Sequence, residues 1–266
     1  MIASPGAVVH SHEVTADRQH EEIVRRSFTR QVGLFSGPDS PFAQRPAGAI
    51  SWLEPLEAEM VVLDVACGAA HASEVIAPHV RQVVGVDLTP SLLALGAQRL
   101  RDTGTTNVLL QEANAESLPF VDESFDLVFC RSSLHHFADP YRAVAEMVRT
   151  CRPAGRVVLA DLVAPSAEER DRFDHLHRLI DPSHVRSFVE SELVTLLGGL
   201  TLTHGETLPI RLPIGVALTE QSDRDKVLAA LRDDVAGGQS TGFDPAEEDG
   251  TFVVSFTTCV VHGTRV

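Results

Sequence analysis

The stretch Val62-Leu63-Asp64-Val65-Ala66-Cys67-Gly68-Ala69-Ala70 decides the fold. Apolar residues with an acid near the end run into a turn of small side chains, and a helix follows to about Ala77, halted near Pro78. A second apolar run, 82–86, ends at Asp87, nineteen residues beyond Gly68. In an open parallel sheet, ligands sit beyond the carboxyl ends of the strands, and an acid at the end of the second strand is placed to bind both hydroxyls of a ribose. Small residues at 66, 68, 69 and 70 let the backbone approach a ligand closely. An ordinary strand-turn-helix joint with a chance acid is the competing reading; the ordered constellation favours a nucleoside cofactor.

Alternation continues on both sides of this stretch. The spacing predicts an amphipathic helix over 13–36 after a frayed start, and a second helix over 42–57. Thr89-Pro90 reads as an N-cap and first helical position. Strands are expected at 108–111, 125–130 and 156–162, with a helix from Asp139-Pro140 to about Cys151. Strand-helix alternation at this spacing makes a parallel sheet covered on both faces. Beyond it, helices are expected at 166–180, 188–198 (with Ser187-Phe188-Val189-Glu190 as a capping box) and 219–236. Strands at 200–207 and 251–262 form an antiparallel edge pair. The expected fold is α/β, a doubly wound, seven-stranded, mostly parallel sheet. Residues 1–57 form an N-terminal tail and helical lid, and residues 58–266 form the cofactor-binding domain, with a helical insertion at about 166–198.

Composition narrows the function. The 266 residues carry 37 acids against 22 bases, a net charge of -15. Nucleic-acid binding needs a basic face, so it is excluded as an expectation. No apolar run approaches the ~18–20 residues of a membrane span. No secretory signal is visible, and the four cysteines (Cys67, Cys130, Cys151, Cys259) form no CxxC pair. Reduced thiols in a cytoplasmic protein, a monomer or homodimer, are the simplest expectation.

The cofactor is not a dinucleotide on this reading. The G-x-G-x-x-G fingerprint cradles a pyrophosphate, whereas this turn holds one glycine, and Asp64 would sit badly against phosphates. A carboxylate there suits a cation such as an amino-acid ammonium.

Six motifs then occur in order: Asp64-x-Ala66-Cys67-Gly68-x-Ala70; Val86-Asp87-Leu88; Asn114-Ala115-Glu116-Ser117-Leu118-Pro119-Phe120; Ser124-Phe125-Asp126-Leu127-Val128; Leu134-His135-His136-Phe137; and Arg152-Pro153-x-Gly155-Arg156. Over about 60–165 the chain resembles the class I S-adenosylmethionine-dependent methyltransferases, closest to the branch of the ubiquinone/menaquinone-biosynthesis enzymes. The resemblance implies S-adenosylmethionine as cofactor and a small-molecule acceptor methylated at O, C or N, with a phenolic, quinol or secondary-metabolite acceptor favoured. It implies that Asp64, Ala66 and Gly68 line the methionine part and Asp87 holds the ribose. Leu88 would pack on adenine, with Asn114 and Ala115 at its edge and Arg131 beside the cofactor. Gln31 and Phe35 would belong to the lid. The sequence departs from the family at Ala66 and Ala70, which stand where glycines are usual, and at Asn114, where aspartate is frequent.

His135 and His136 follow the fourth strand at the ligand edge, where either one is placed to act as a base. Asp161, His184 and Arg186 are candidates for acceptor contacts. His175 and His177, two apart, face different sides of a helix, so no metal is expected. Two other readings stay open. One is a protein that binds S-adenosylmethionine without transferring methyl, steering a pericyclic or decarboxylative step or simply binding. The other is a nicotinamide-dependent oxidoreductase.

Overall fold

Short β-branched runs cut by turn residues make strands here, and longer 3.6-periodic stretches make helices. The computed structural model describes residues 6–36 and 51–266. Its strands are β1 Val61–Val65, β2 Gln82–Asp87, β3 Val108–Glu112, β4 Phe125–Arg131, β5 Cys151–Val163, β6 Thr201–Pro213, β7 Ala246–Glu248 and β8 Thr251–Thr264. Its helices are α1 Gly6–Gln31, α2 His71–Ile76, α3 Pro90–Asp102, α4 Pro140–Thr150, α5 Arg170–Ile180, α6 Glu190–Leu196, α7 Ile214–Ala217 and α8 Arg224–Val235.

The strands form one sheet in the order β3-β2-β1-β4-β5-β8-β6, with β7 added beside β8. β1 to β5 pair in parallel, while β8 runs antiparallel to both β5 and β6. The chain lays β2 and β3 on one side of β1, then crosses back to lay β4 and β5 on the other. The connections leaving β1 and β4 therefore diverge at their carboxyl ends, which opens a crevice there.

Both faces of the sheet are covered. One carries Leu63, Val128, Val144, Met147 and Leu193; the other carries Trp52, Ile76, Leu127 and Phe129. Fully burying a side chain of this size stabilises by about 1.5–3 kcal/mol. A third cluster, including Phe173, Ile180, Leu231, Phe243 and Phe256, packs the C-terminal helices on the antiparallel strands. Gly96 of α3 brings that helix against the first turn: a Cβ there would meet the Ala69 backbone at 3.0 Å.

Several local expectations change. Among the described residues the strands number eight, since a three-residue β7 joins the edge. The α1 helix starts at Gly6, well before residue 13, and gives way to a 3-10 turn at Val32–Phe35. The helix expected over 42–57 lies largely outside the described residues; within them, Ser51–Leu53 is a 3-10 turn that buries Trp52 and Leu53. Thr89 makes no side-chain cap on α3, and Asp87 Oδ1 accepts from the Thr89 N–H instead (2.8 Å). The N-cap of α6 is Val189 rather than Ser187, with Glu192 reaching back to the Val189 N–H (3.1 Å). The α8 helix starts five residues later than 219 because Asp223 caps it, accepting from the Lys226 N–H. β6 runs on to Pro213, paired with β8 along its length.

Candidate active site

A cavity of about 350 Å³ occupies the crevice beyond β1 and β4. One end is built by the first turn. Ala66, Gly68 and Ala70 all hold left-handed backbone, with φ of 57°, 57° and 58°. Glycine adopts this region freely, whereas alanine does so at a cost of about 1–2 kcal/mol. A Cβ on Gly68 would have only Leu92 near it, at 4.0 Å, so its open side is cavity. Asp87 locks this turn: its Oδ2 accepts from the Gly68 N–H (2.8 Å) and its Oδ1 from the Thr89 N–H (2.8 Å). Burial raises the Asp87 pKa, and these two bonds pull it back. A carboxylate has about four acceptor positions, so the two backbone bonds do not exhaust it. Leu88, Asn114, Ala115 and Arg131 complete this wall. Asn114 Oδ1 accepts from the Glu116 N–H (2.8 Å), and its Nδ2 donates to Glu21 Oε1 on α1 (2.8 Å). Open backbone at Gly68, spare acceptor positions on Asp87 and an apolar shelf at Leu88 fit a nucleoside carrying an amino-acid arm.

The other end is a cluster of histidines and apolar side chains. His135 and His136 sit on the 3-10 turn after β4 and line the cavity, with ring centroids 4.1 Å apart. His135 Nδ1 lies 2.5 Å from Asp161 Oδ1, and the His135 N–H donates to Asp161 Oδ2 (3.3 Å). Burial pushes His135 down, but the Asp161 charge and hydrogen bond outweigh it and the pKa is raised. Burial likewise works to raise Asp161, and the same pair holds it below the usual carboxylate value. His136 is pushed down to about 3, first by burial and then by the charge on His135. A proton on this pair therefore resides on His135. Val24, Phe28 and Leu34 form one apolar wall, facing Ile180, Ile210 and Phe256 of the C-terminal part.

The expected site residues divide into two groups. Gln31, Phe35, Ala66, Gly68, Asp87, Leu88, Asn114, Ala115, Arg131, His135 and His136 line the cavity. Asp64 does not: it is buried behind the turn, accepts from Ser73 Oγ (2.6 Å), and burial lifts its pKa to about 7. Neither do the three acceptor candidates. Asp161 stands behind His135. His184 is buried against Asp174 (2.8 Å). Arg186 turns outward to Glu192 (2.8 Å). The α1 side chains His20, Glu21 and Phe28, and His177 and Asp181 at the end of α5, are cavity residues the motifs did not mark. The Asp181-Pro182-Ser183 turn was a usable signal, since an acid two residues ahead of a serine N–H closes an Asx-type turn; Asp181 Oδ1 accepts from the Ser183 N–H (2.9 Å).

The methyltransferase-domain family matches residues 63–159. The uncharacterised protein YafE of Escherichia coli is 34% identical over 139 residues, which is 52% of this chain and 67% of YafE. The chain belongs to the S-adenosylmethionine-dependent methyltransferases. Its resemblance to YcgJ of Bacillus subtilis, named an uncharacterised methyltransferase, is 39% over 158 residues, 59% of this chain and 62% of YcgJ. The crystal structure of YcgJ matches with a TM-score of 0.71 and 27% identity, covering 84% of this chain and 98% of that one. UbiE of Psychromonas ingrahamii, named a ubiquinone/menaquinone biosynthesis C-methyltransferase, is 38% identical over 93 residues, 35% of this chain and 37% of UbiE. The sequence alignments span less than two thirds of YcgJ and UbiE. S-adenosylmethionine is the cofactor of this methyltransferase family, and no described helix is long and apolar enough to cross a membrane.

Proposed function

We propose that the protein transfers the methyl group of S-adenosylmethionine to a small, largely apolar acceptor bearing an ionisable hydroxyl, of phenolic or quinol type. The observation that carries this reading is His135, backed by Asp161, standing in the same cavity as Gly68 and Asp87. Asp87 would hold the ribose hydroxyls and Leu88 the adenine, with Ala66, Gly68 and Arg131 beside the amino-acid arm. When bound, the cofactor supplies a methyl already activated on a sulfonium sulfur.

The protein's own contribution is alignment and a proton acceptor. Aligning reactants supplies about 7–11 kcal/mol in well-ordered systems. Asp161 fixes the Nδ1 proton of His135, which leaves Nε2 to accept the proton of the acceptor hydroxyl. The α1 helix and the 3-10 turn that follows it would act as the lid, with Phe28 and Leu34 excluding water from the reacting groups. The names of UbiE and its relatives support a quinol-like acceptor, and the apolar wall agrees with one.

Incubating the protein with methyl-labelled S-adenosylmethionine and a panel of naphthols and hydroquinones tests the reading. Label should pass to the organic phase with wild type and fall sharply with His135→Ala. Tight cofactor binding with no labelled product from any hydroxylated acceptor would instead favour a binder that does not transfer methyl.

A further inference from the structure

Asp181 lies at the meeting point of two parts of the cavity wall that are far apart in sequence. Its Oδ1 accepts from Ser27 Oγ of α1 (2.9 Å) and its Oδ2 from Gln31 Nε2 (3.0 Å). Ser27 and Gln31 are themselves bonded (3.0 Å), and both are buried. The same Oδ1 accepts from Ser183 Oγ (2.7 Å). Ser183 Oγ in turn lies 3.1 Å from His136 Nδ1. The α1 helix also reaches His136 directly: His20 Nε2 meets the His136 carbonyl (2.7 Å), and the Phe28 ring stands edge-on to the imidazole at 5.0 Å.

We propose that Asp181 is a positioning residue that ties α1 to His136 and, through Ser183, sets which ring nitrogen of His136 carries the proton.

A hydroxyl has one proton to give. Asp181 is ionised: burial works to raise its pKa, but the charge His136 carries when protonated and the bonds from Gln31 and Ser183, which persist when His136 is neutral, outweigh this and hold it at about 2. An ionised carboxylate only accepts, so the Ser183 proton is committed to Asp181. Ser183 Oγ can then only accept from His136, and Nδ1 must bear the hydrogen. With His136 neutral, its Nε2 is left as a bare acceptor. The buried Ser183, with no exposed surface, offers no water as an alternative partner. Asp161 imposes the same Nδ1–H form on His135 by direct contact, so two adjacent imidazoles are held in one orientation by two separate carboxylates. Releasing Asp181 would free α1 and unset His136 together.

The test reads no turnover, so its outcome is independent of the methyl-transfer reading. Full-length protein with ¹⁵N-labelled histidine is examined by two-bond proton–nitrogen correlation, with His136→Gln used to assign the signal. Wild type should show His136 protonated at Nδ1. Ser183→Ala should shift it toward the Nε2–H form, and Ser183→Thr should restore the wild-type pattern. Asp181→Ala should do the same to His136 and also speed amide exchange in residues 18–31 by about tenfold, which Ser183→Ala should not do. An Nε2–H form in wild type overturns the proposal without any variant. So does a tautomer unmoved in Ser183→Ala, or α1 exchange unchanged in Asp181→Ala.

Discussion

Asp161 grips His135 at two points, the ring Nδ1 at 2.5 Å and the backbone N–H at 3.3 Å, while remaining fully buried behind it. The carboxylate therefore fixes both the position of the residue and the tautomer of its ring. Positioned general bases contribute about 10²–10⁴-fold to rate. Asp161→Asn should lose a large part of that range in kcat with little change in cofactor affinity. Labelled-methyl turnover and calorimetry on the same variant check this, and an unchanged kcat would remove the pair from the chemistry.

The pH dependence follows from the same pair. The base form of His135 is the neutral one, and its pKa is raised above 6.5. Turnover should therefore climb as pH rises through a midpoint above 6.5, and a midpoint below it would contradict the pairing. Stability runs the other way. The raised His135 pKa contributes stability that is complete below 6.5 and fades as pH rises through the folded value. The lowered Asp161 pKa contributes stability present above 3.8 and lost as pH falls through the folded value. Tm against pH should show this contribution at its fullest between the two reference values and lose it in His135→Ala.

Asp64 has the opposite sign. Its pKa is raised from 3.8 to about 7 by burial, so its ionisation opposes folding increasingly as pH rises through that interval. Asp64→Asn should leave stability nearly unchanged at pH 3, below both values, and raise it at pH 8. Denaturant midpoints at the two pH values decide the matter, and a loss of stability at pH 8 would show that the charged form is favoured.

Asp87→Ala should weaken S-adenosylhomocysteine binding strongly, because hydrogen bonds to a charged group are worth about 1.5–3 kcal/mol each. The Gly68 N–H would also lose its partner. Titration calorimetry reads this directly, and an affinity equal to wild type would displace Asp87 from the ribose.

Ala66→Gly and Ala70→Gly should each relieve left-handed strain. The relief of about 1–2 kcal/mol is offset by the greater unfolded-state freedom of glycine, about 0.4–1 kcal/mol, leaving a gain of about 0–1.6 kcal/mol. Urea unfolding of the single variants measures it. A loss of stability would mean that the methyl groups make contacts worth more than the strain.

The centre of the sheet was readable from the sequence because β1, β2 and β4 each end at a chemically marked turn: Asp64 through Ala70, Asp87-Leu88, and His135-His136. These signals are local, and periodicity plus small residues suffice to place them. The acceptor wall is of another kind. Asp181 meets Gln31 across 150 residues, and neither carries a mark that points to the other. His184 and Arg186 stand out in the 181–186 segment because imidazole and guanidinium look reactive. Packing instead turned one to Asp174 and the other to Glu192 and brought forward the less conspicuous Asp181 and Ser183. Asp64 misled for a related reason: the strand end was right, but the alternation of side chains put its carboxylate on Ser73.

The division of the cavity between the two parts of the chain has an evolutionary consequence. The residues proposed to hold the nucleoside all lie at or before Arg131, whereas Ile180, Ile210, Leu212, Val216 and Phe256 of the cavity lining all lie beyond the matched family region, which stops at 159. Substitutions after 159 can reshape what enters the cavity without touching the Gly68–Asp87 lock. Transplanting 162–256 from a relative should therefore exchange one acceptor preference for another while cofactor affinity stays put. The two ends of the cavity thus come from two successive parts of the chain, and the boundary between them falls along a single strand, β5.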